Sequence, residues 1–380
     1  IFEMFDGVVE MKINRFEDYK RNEWENIQYK LFKLNTKLLK IDQIQMSGFE
    51  FFNQIKNILV TFISALLVVN GKMTLGELLS VSYIIGMMNS PVNRLVSFLR
   101  SLQDAKLSLE RIDEINHYPD DDLFAKSKLN FCGKSIDIQL NNVSFQYEGS
   151  KSPYALKNIS LKIPAGKVTA IVGASGSGKT TLLKLLLKFY KPSAGNILYG
   201  NTDLSEISTQ SIFANSGIVL QDNFIFSDTI KRNIATSDEV INEDKLFTAC
   251  DIANLQSFIQ ALPLKFDTKI GVSGNGISGG EKQRIAIARA IYKNPHFLFF
   301  DEATNALDAN NERLIAEKLQ DFYKGKTVVI VAHRLSTVKN ADKIIVLEQG
   351  QIVEQGTHEE LSKKRGKYFE LVRNQLELGN

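Results

Sequence analysis

The sequence has no excess of charge of either sign. Its 380 residues contain 46 Lys and Arg against 43 Asp and Glu, so the net charge is only +3. Proteins that bind nucleic acid usually concentrate positive charge, so this balance gives no electrostatic reason to expect a nucleic acid partner. The apolar share of 44% is ordinary for a globular protein, and the length favours two domains.

Cysteine is also scarce. The chain has two, Cys132 and Cys250, and they are far apart in the sequence. Free cysteines are commonly small buried side chains. We therefore predict that both pack as thiols and that they form neither a disulfide nor a metal site.

A secretion leader is absent from the first residues, IFEMFDGVVEMK. They contain no initiator Met, no basic segment and no cleavage site, so we do not expect this stretch to be a signal peptide. The pattern is typical of the interior of a helix. We expect the chain to be a fragment of a longer protein.

An uncharged run long enough to prove a membrane span is lacking as well. Residues 58–69 carry no charge, but a span needs about 20 apolar residues. Extension back to Phe49 reaches that length and includes polar and charged side chains, and a second apolar stretch, residues 78–88, runs into Pro91. Polar residues are tolerated in a span that faces a water-filled path. Hydropathy alone leaves membrane helices and buried helices of a soluble protein equally open.

The pattern changes along the chain. Residues 1–116 are helical in pattern, and apolar side chains from Trp24 to Leu38 fall near one helix face. Residues 117–134 contain a proline and three adjacent Asp, which predicts an exposed linker. From residue 135 onward, short β-rich runs alternate with helical stretches. This alternation predicts an α/β domain with a largely parallel sheet.

Residues 168–189, VTAIVGASGSGKTTLLKLLLKF, have the order strand, glycine-rich loop and helix. They fit the phosphate-binding pattern G-x-x-x-x-G-K-[ST] in the required context. The glycines allow backbone N–H groups to converge on phosphate oxygens, and the helix adds its positive end. Lys179 supplies a charge for the β- and γ-phosphates, and Thr180 offers a hydroxyl to Mg²⁺. The sequence therefore predicts a nucleotide site.

Two carboxylates, Asp301 and Glu302, stand at the end of the apolar strand HFLFF. Asp301 is placed to hold Mg²⁺ through water, and Glu302 is placed to polarise an attacking water as a general base. The alternative is that the two acids cap a helix.

Three single residues have weaker patterns. Tyr147 is able to stack on adenine, Gln221 to bind Mg²⁺ or the attacking water, and His333 to reach the γ-phosphate. Considered alone, such residues are more often a core aromatic, a surface glutamine and a histidine in a local hydrogen bond.

Taken in order, these motifs resemble the nucleotide-binding domain of ABC transporters from about residue 135 to the C-terminus. The resemblance implies a P-loop NTPase domain, residues 135–380, with a largely parallel sheet and a helical subdomain. Gln221 is then the Q-loop, ISGGE at residues 277–281 the signature, FLFFDE the Walker B motif, NALD at residues 305–308 the D-loop, and His333 the switch histidine.

The resemblance implies ATP and Mg²⁺ as cofactors and an ATPase activity. It assigns catalytic roles to Glu302, His333 and Gln221, and metal binding to Thr180, Gln221 and Asp301. The implied ATP-binding residues are Tyr147, Gly173, Ser175, Gly176, Ser177, Gly178, Lys179, Thr180, Thr181, Ser278, Gly279 and Gly280.

The resemblance also implies a second copy of the chain or a related half-transporter. In this family two nucleotide-binding domains associate head to tail, and each ATP lies between the Walker A loop of one and the signature of the other. Ser278 is expected to cap a helix in either case. The signature has Ile277 for the usual Leu and Glu281 for Gln, and the D-loop has Asn305 for Ser. Because Glu302 and His333 are both present, we expect two equivalent sites.

Val272 stands where exporters often carry an acidic residue after the first glycine of TKIGVSGNG, residues 268–276. This loop contacts the coupling helices in the family. Transmission from the ATP site through the loop is therefore the least supported part of the resemblance.

Residues 1–116 resemble the last third of an exporter-type transmembrane domain. The resemblance places a coupling helix near residues 14–24, docked on the partner's ATPase domain, and the last two spans near residues 49–69 and 75–96. It implies a multi-pass protein of the bacterial inner membrane, in contact with lipid, whose ATPase domain is cytoplasmic. The loose likeness to bacterial peptide and bacteriocin exporters indicates ATP-driven export of a peptide, with a lipid or a drug as the alternative substrate.

Two other classes compete with an exporter. A soluble ABC ATPase acting on DNA, RNA or ribosomes is disfavoured by the near-neutral charge and the two apolar segments. A nucleotide sensor that binds ATP without turnover is disfavoured by the intact Glu302.

Overall fold

This computed structural model describes residues 5, 7–116, 135–147, 152–236, 238–271, 276–305, 307–332 and 338–377. The chain divides into two compact units, Ile1–Tyr118 and Pro119–Asn380. The predicted linker, residues 117–134, lies outside the described residues, as does Cys132.

The first unit consists of helices α1 (Val8–Ile13), α2 (Glu17–Val69) and α3 (Leu75–Asn116). Thr74 forms a capping box at the start of α3. Its N–H donates to Oε2 of Glu77 at 2.7 Å, and the N–H of Glu77 donates to Oγ1 of Thr74 at 3.2 Å. These reciprocal bonds satisfy two backbone donors and fix the point where the chain re-enters a helix.

Helix α2 exposes most of its apolar side chains. Ser64 is its one buried residue, whereas Phe52 and Phe62 are 71% and 60% exposed in this unit. Exposed apolar surface on this scale marks a face that meets a membrane or another protein. By length and composition, α2 is the one helix among the described residues that is able to cross a membrane.

The helix bounds of the first unit agree with the predicted spans at two points and differ at a third. Helix α2 ends at Val69 and α3 begins at Leu75, where the predicted spans end and begin. The short helix of this region is α1, however, and residues 14–24 form a break of three residues followed by the first turns of α2. Residues 14–24, where the coupling helix is predicted, therefore contain this break and the start of α2, and the docking of this region on a partner stays a prediction. Glu17 and Asp18 lie in the first turn of α2, where carboxylates favour helix initiation.

The second unit is an α/β domain. In chain order its strands are β1 (Ile138–Phe145), β2 (Leu156–Ile163), β3 (Val168–Val172), β4 (Ala194–Tyr199), β5 (Thr202–Asp203), β6 (Ser216–Val219), β7 (Asp228–Thr229), β8 (Lys269–Ile270), β9 (Phe297–Asp301), β10 (Thr327–Val331), β11 (Lys343–Glu348) and β12 (Gln351–Gly356). Its helices are α4 (Lys179–Leu186), α5 (Thr209–Ala214), α6 (Ile230–Ile234), α7 (Glu243–Ile252), α8 (Gln256–Ala261), α9 (Gly279–Tyr292), α10 (Ala309–Tyr323), α11 (His358–Lys364) and α12 (Lys367–Glu377).

The main sheet has the order β12-β11-β3-β10-β9-β6. Its neighbours run parallel except for β11 and β12, which confirms the predicted largely parallel sheet. Helices α6 to α9 fall between β6 and β9 in the chain and form the predicted helical group. A second sheet, β2-β1-β4-β5, is antiparallel and was not predicted.

Strand β9 is buried on both faces. Phe297 and Phe299 belong to one hydrophobic cluster, and Leu298 and Phe300 belong to another on the opposite face. Successive side chains of a strand point to opposite faces, and a parallel strand covered on both faces is apolar throughout. The buried run therefore fixes the position of Asp301 at the end of the strand.

Cys250 is free, and its thiol is fully buried in the helical group. Burial raises the pKa of this thiol to about 12. The prediction of a small buried thiol is confirmed for Cys250.

Candidate nucleotide-binding site

The carboxyl ends of the parallel strands bring together motifs that are distant in the sequence. Val331 of β10 pairs with Asp301 at the end of β9, and Ile171 near the end of β3 also pairs with Val331. The glycine-rich loop leaves β3 at this edge, and Gln221 follows the end of β6, the next neighbour of β9. Ligands of open α/β sheets bind at the carboxyl ends of the strands.

The loop from Gly173 to Gly178 has room only for glycine at both ends. A Cβ on Gly173 would lie 2.2 Å from the carbonyl oxygen of Leu347. Gly178 has φ of +101°, and a Cβ there would lie 2.8 Å from Cδ2 of Leu156. The loop is thus held tightly against neighbouring backbone, and glycine-rich loops of this kind are able to present backbone N–H groups to phosphate oxygens.

Lys179 lies across this loop. Its side chain is almost fully buried, and Nζ donates to the carbonyl oxygens of Gly173 and Ala174 at 2.9 Å each. Burial lowers the pKa of Lys179, whereas the nearby carboxylates of Glu302 and Asp301 raise it. The ammonium group is therefore held within the loop, opposite two acids.

Asp301 is 1% exposed, and neither of its carboxylate oxygens makes a hydrogen bond of normal geometry to a described residue, although the Thr180 hydroxyl lies close enough to lower the pKa of Asp301. Burial raises the pKa of Asp301, while nearby Thr180 and Lys179 lower it. A buried carboxylate without a partner is costly unless a cation neutralises it. Such oxygen atoms are the ligands that Mg²⁺ prefers, so Asp301 and the Thr180 hydroxyl fit this ion.

The protein alone supplies few metal ligands. Within the described ranges, no group of three or more His, Cys, Asp or Glu side chains is placed to hold an ion. Mg²⁺ usually keeps several waters and binds through one or two carboxylates plus substrate phosphates. The residues at this edge match that mode and do not match a metal site made of protein alone.

Glu302 adopts a backbone conformation that side chains seldom take, with φ of +53°. Its N–H donates to the carbonyl oxygen of Val331 at 3.1 Å, and its carbonyl oxygen accepts from Nε2 of Gln283 at 2.9 Å. The Asn305 amide donates to the Glu302 carboxylate. Left-handed backbone in a bulky residue persists only where its surroundings enforce it, and such residues cluster at functional sites. The alternative that the two acids cap a helix does not describe Glu302, because Asp308 is the residue that caps α10.

Tyr147 is 49% exposed and is not a core aromatic. Its hydroxyl and Oγ1 of Thr181 are 2.8 Å apart, which fixes the side chain over the start of α4. The rings of Phe145 and Tyr190 pack against it edge to face at 5.0 and 5.3 Å. Tyr190 is a member of this aromatic group that the sequence did not single out, because one more aromatic after a helix has no distinctive pattern.

The signature residues lie at the start of α9. Ser278 is the N-cap residue: its Oγ accepts from the N–H of Glu281 at 3.2 Å, and its own N–H donates to Oε2 of Glu281 at 2.7 Å. Ser278 and Gly279 are exposed, and Gly280 is partly exposed. In the part of the chain that is described, no hydrogen bond or ion pair joins residues 278–280 to the Gly173–Thr181 loop.

The remaining predicted residues are placed less closely. Gln221 is exposed, two residues after β6. His333 lies outside the described residues. Gln283 was not predicted, and no sequence signal marks it, because its partner at the site is a backbone carbonyl.

Residues 156–305 match the family model described as ABC transporter. The chain is 37% identical over 340 residues to the toxin RTX-I translocation ATP-binding protein of Actinobacillus pleuropneumoniae, and this match covers 90% of the chain and 48% of the relative. It is 39% identical over 325 residues to the alpha-hemolysin translocation ATP-binding protein HlyB of Proteus vulgaris, covering 86% of the chain and 46% of that relative. The chain thus spans about half the length of these curated relatives.

A solved structure of a bacterial Atm1-family ABC exporter with ATP bound is also similar. Its TM-score is 0.89 at 30% sequence identity, and the match covers 97% of this chain and 65% of the other. The leukotoxin translocation ATP-binding protein LktB of Mannheimia haemolytica is 39% identical over 334 residues, covering 88% of this chain and 47% of LktB.

Proposed function

We propose that this chain, whose residues 156–305 match the ABC transporter family, is the C-terminal part of an exporter half-transporter that binds and hydrolyses ATP. The observation that carries the proposal is the buried carboxylate of Asp301, which makes no hydrogen bond of normal geometry to a described residue and lies near Lys179 and Thr180. This arrangement calls for a cation that brings its own negatively charged ligand.

Each residue of the loop has a role in this proposal. The backbone N–H groups of Gly173, Ser175, Gly176, Gly178, Lys179, Thr180 and Thr181 would be the donors for the phosphates, while the Ser177 N–H donates to the carbonyl oxygen of Ala174 at 3.2 Å. The Ser177 hydroxyl is buried without a partner among the described residues, so a phosphate oxygen would satisfy it. Lys179 would exchange its two loop carbonyls for β- and γ-phosphate oxygens, and Tyr147 would stack on adenine.

Mg²⁺ would be held by Thr180, Asp301 and Gln221, and when bound it neutralises charge on the β- and γ-phosphates. Glu302 would accept a proton from the attacking water, and His333 would contact the γ-phosphate. The Asn305 amide bonded to Glu302 would hold its carboxylate in place before water is present. Activation of water by a fixed base is the step that this chain's own side chains supply.

The proposal includes a second copy of the chain, or a related half-transporter. Residues 278–280 are turned to solvent at a helix start and have no bond to the loop within the described part, which supports contact with a phosphate held by the partner. Helix N-termini attract anions, so Ser278, Gly279 and Gly280 would complete the partner's site. Hydrolysis would then release the two domains from each other.

The first unit would contain the last two spans of a multi-pass protein of the bacterial inner membrane, with the ATPase domain in the cytoplasm. The exposed apolar surface of α2 supports contact with lipid. The proposed substrate is a polypeptide, because the similar proteins are named for the translocation of protein toxins.

Transport by the full-length protein in inside-out vesicles tests this function. We expect ATP-dependent uptake of a labelled polypeptide, and no uptake when the vesicles carry Glu302→Gln. Uptake of a lipid or a drug in place of the polypeptide would assign the other substrate class. ATP hydrolysis without uptake of any of the three would refute the transport function.

A further inference from the structure

Glu302 is held through its main chain from two directions. Its N–H is bonded to Val331 of the neighbouring strand β10 at 3.1 Å, and its carbonyl oxygen is bonded to Gln283 of α9 at 2.9 Å. The Glu302 backbone between these two bonds has φ of +53°. Because φ and ψ set the direction of the Cα–Cβ bond, the carboxylate is aimed by its backbone partners.

Gln283 is built into the core. The side chain is 5% exposed, and neighbouring positions of α9, such as Ile285 and Ile287, are fully buried. A buried amide needs partners, and removal of its donor would leave the Glu302 carbonyl without this bond. The bond therefore ties α9 to the Glu302 backbone.

Helix α9 also holds the far end of the segment that follows Glu302. Arg284 donates from Nη1 to the carbonyl oxygen of Asn254 at 3.0 Å, and the Asn254 amide donates to Oδ1 of Asn311 at 2.7 Å. Asn311 in turn is bonded to Asp308, the cap of α10. Arg284 also donates from Nη1 to Oδ1 of Asn311 at 3.5 Å, so adjacent residues of α9 reach both ends of residues 302–311.

The same helix begins with the signature. Gln283 follows the cap residue Ser278 by five positions, about 7.5 Å along the helix axis. A helix of 14 residues moves as a rigid element, so a shift at its N-terminus is carried to Gln283. One end of α9 faces the partner's nucleotide in the proposed assembly, and its next turn holds Glu302 of its own chain.

We propose that Gln283 is a positioning residue, which couples engagement of the signature on the partner's ATP to the orientation of Glu302 at its own ATP. This inference rests on the proposed function, in which Glu302 activates water. Phosphate binding at Ser278 sets the position of α9, Gln283 transmits it to the Glu302 carbonyl, and the carboxylate takes its productive direction. ATP binding at one site then affects hydrolysis at the other through the side-chain amide of Gln283.

The test is ATP hydrolysis by the full-length protein carrying Gln283→Met, which keeps the length and apolar volume of the side chain and removes the donor. We expect kcat to fall roughly 10- to 100-fold and the Hill coefficient for ATP to fall to about 1, with the Kd for ATP within about twofold of wild type. Gln256→Met is the matched control, since this exposed glutamine bonds only Asp251 among the interactions described for it. It should leave kcat and cooperativity unchanged.

A second measurement separates positioning from general support of the fold. In the Glu302→Gln background, Gln283→Met should add little further loss of kcat, because Gln283 acts through Glu302. Gln283→Asn, which keeps an amide but shortens its reach, should repeat the loss if Gln283→Met folds poorly. Unchanged kcat, a full additional loss in the Glu302→Gln background, or a parallel loss of ATP affinity would each overturn the inference. A wild-type protein without ATPase activity would refute the proposed function itself, whereas an active wild type with an unaffected Gln283→Met refutes only the coupling.

Discussion

Two helices of the second unit, α4 and α9, begin next to glycine residues but differ in how their first backbone N–H groups are capped. Helix α4 begins after Gly178, and no side chain caps its first N–H groups. Helix α9 begins after Ser278, where Ser278 and Glu281 satisfy each other's backbone donors. The first helix start leaves its donors for a ligand, and the second has satisfied two of its own.

The starts of α4 and α9 also differ in how deeply their residues are buried. Lys179, the first residue of α4, and nearby Asp301 are both almost fully buried and of opposite charge, and leucines of α4 anchor the helix in the core. At α9, Ser278 and Gly279 are exposed. A buried charged site needs a ligand that brings charge, whereas an exposed capped helix is stable alone and gains a ligand only when another surface presents it. The difference is the reason to expect that one start binds ATP first and the other completes the pocket of a partner.

The largest expected effect is on the α4 side, at the proposed base. Glu302→Gln should slow ATP hydrolysis by roughly 10² to 10⁴, about 3 to 5 kcal/mol of barrier, and should retain ATP binding. Phosphate release and nucleotide affinity measure the two properties separately. Glu317→Gln, an exposed acid on α10 that is 66% exposed, is the control. Turnover close to normal in Glu302→Gln would remove Glu302 from the role of base.

Lys179→Ala tests the charge held by the loop. The ammonium group is proposed to move from two carbonyls to phosphate oxygens, so we expect ATP affinity to fall by roughly 10²-fold, or about 3 kcal/mol. Equilibrium binding of a fluorescent ATP analogue measures it, with the exposed Lys191→Ala as control. An unchanged affinity would refute the phosphate role of Lys179.

A smaller effect is expected at the aromatic edge of the site. Tyr147→Ala should weaken ATP binding by roughly 0.5 to 2 kcal/mol, since a stacked ring contributes about that much. Tyr147→Phe keeps the ring and loses the bond to Thr181, so it should bind ATP nearly as well as wild type. If both ATP and bare triphosphate lose the same affinity in Tyr147→Ala, stacking on adenine is ruled out.

The smallest effect concerns stability in the absence of nucleotide. The pKa of Asp301 is raised by burial, so its ionised form is disfavoured in the folded protein, and this cost is present above the raised pKa and relieved as pH falls through it. Asp301→Asn should therefore raise the free energy of unfolding by roughly 1 kcal/mol at neutral pH while abolishing the Mg²⁺ dependence of ATP binding. Thermal unfolding without nucleotide measures the change in stability, and ATP binding with and without Mg²⁺ measures the metal dependence. A lower free energy of unfolding for Asp301→Asn would contradict the view that the ionised carboxylate destabilises the folded protein when no cation is bound.

Local spacing predicts the α4 side of the site well and the contacts between elements poorly. The glycines, Lys179 and Thr180 are contiguous, so one pattern specifies the loop and the helix start. The antiparallel sheet was not predicted because a β-rich run in the sequence does not show which other strand it pairs with. The continuity of α2 from Glu17 to Val69 was not predicted, because the helical pattern of residues 1–116 does not show where one helix ends and the next begins.

Gln283 shows the same limit at the site. It was missed because an amide that bonds a backbone carbonyl 19 residues away leaves no mark in the sequence. Ser278 was expected to cap a helix and does so. The reciprocal bond from Glu281 follows from the Ser-x-x-Glu spacing, which specifies a capping box but was considered only as a departure from the family signature.

A mixing experiment tests the central claim, that each chain holds half of two pockets. Lys179→Ala and Ser278→Arg are each expected to be inactive alone, because the first damages the loop half and the second the signature half. When the two variants are co-expressed with different tags and isolated as a mixed pair, one pocket receives both intact halves. The account predicts ATP hydrolysis above the sum of the single variants but below about half of wild type, because the intact pocket belongs to the chain whose own signature is damaged, so that Gln283 does not orient its Glu302. Activity no higher than that sum would contradict it.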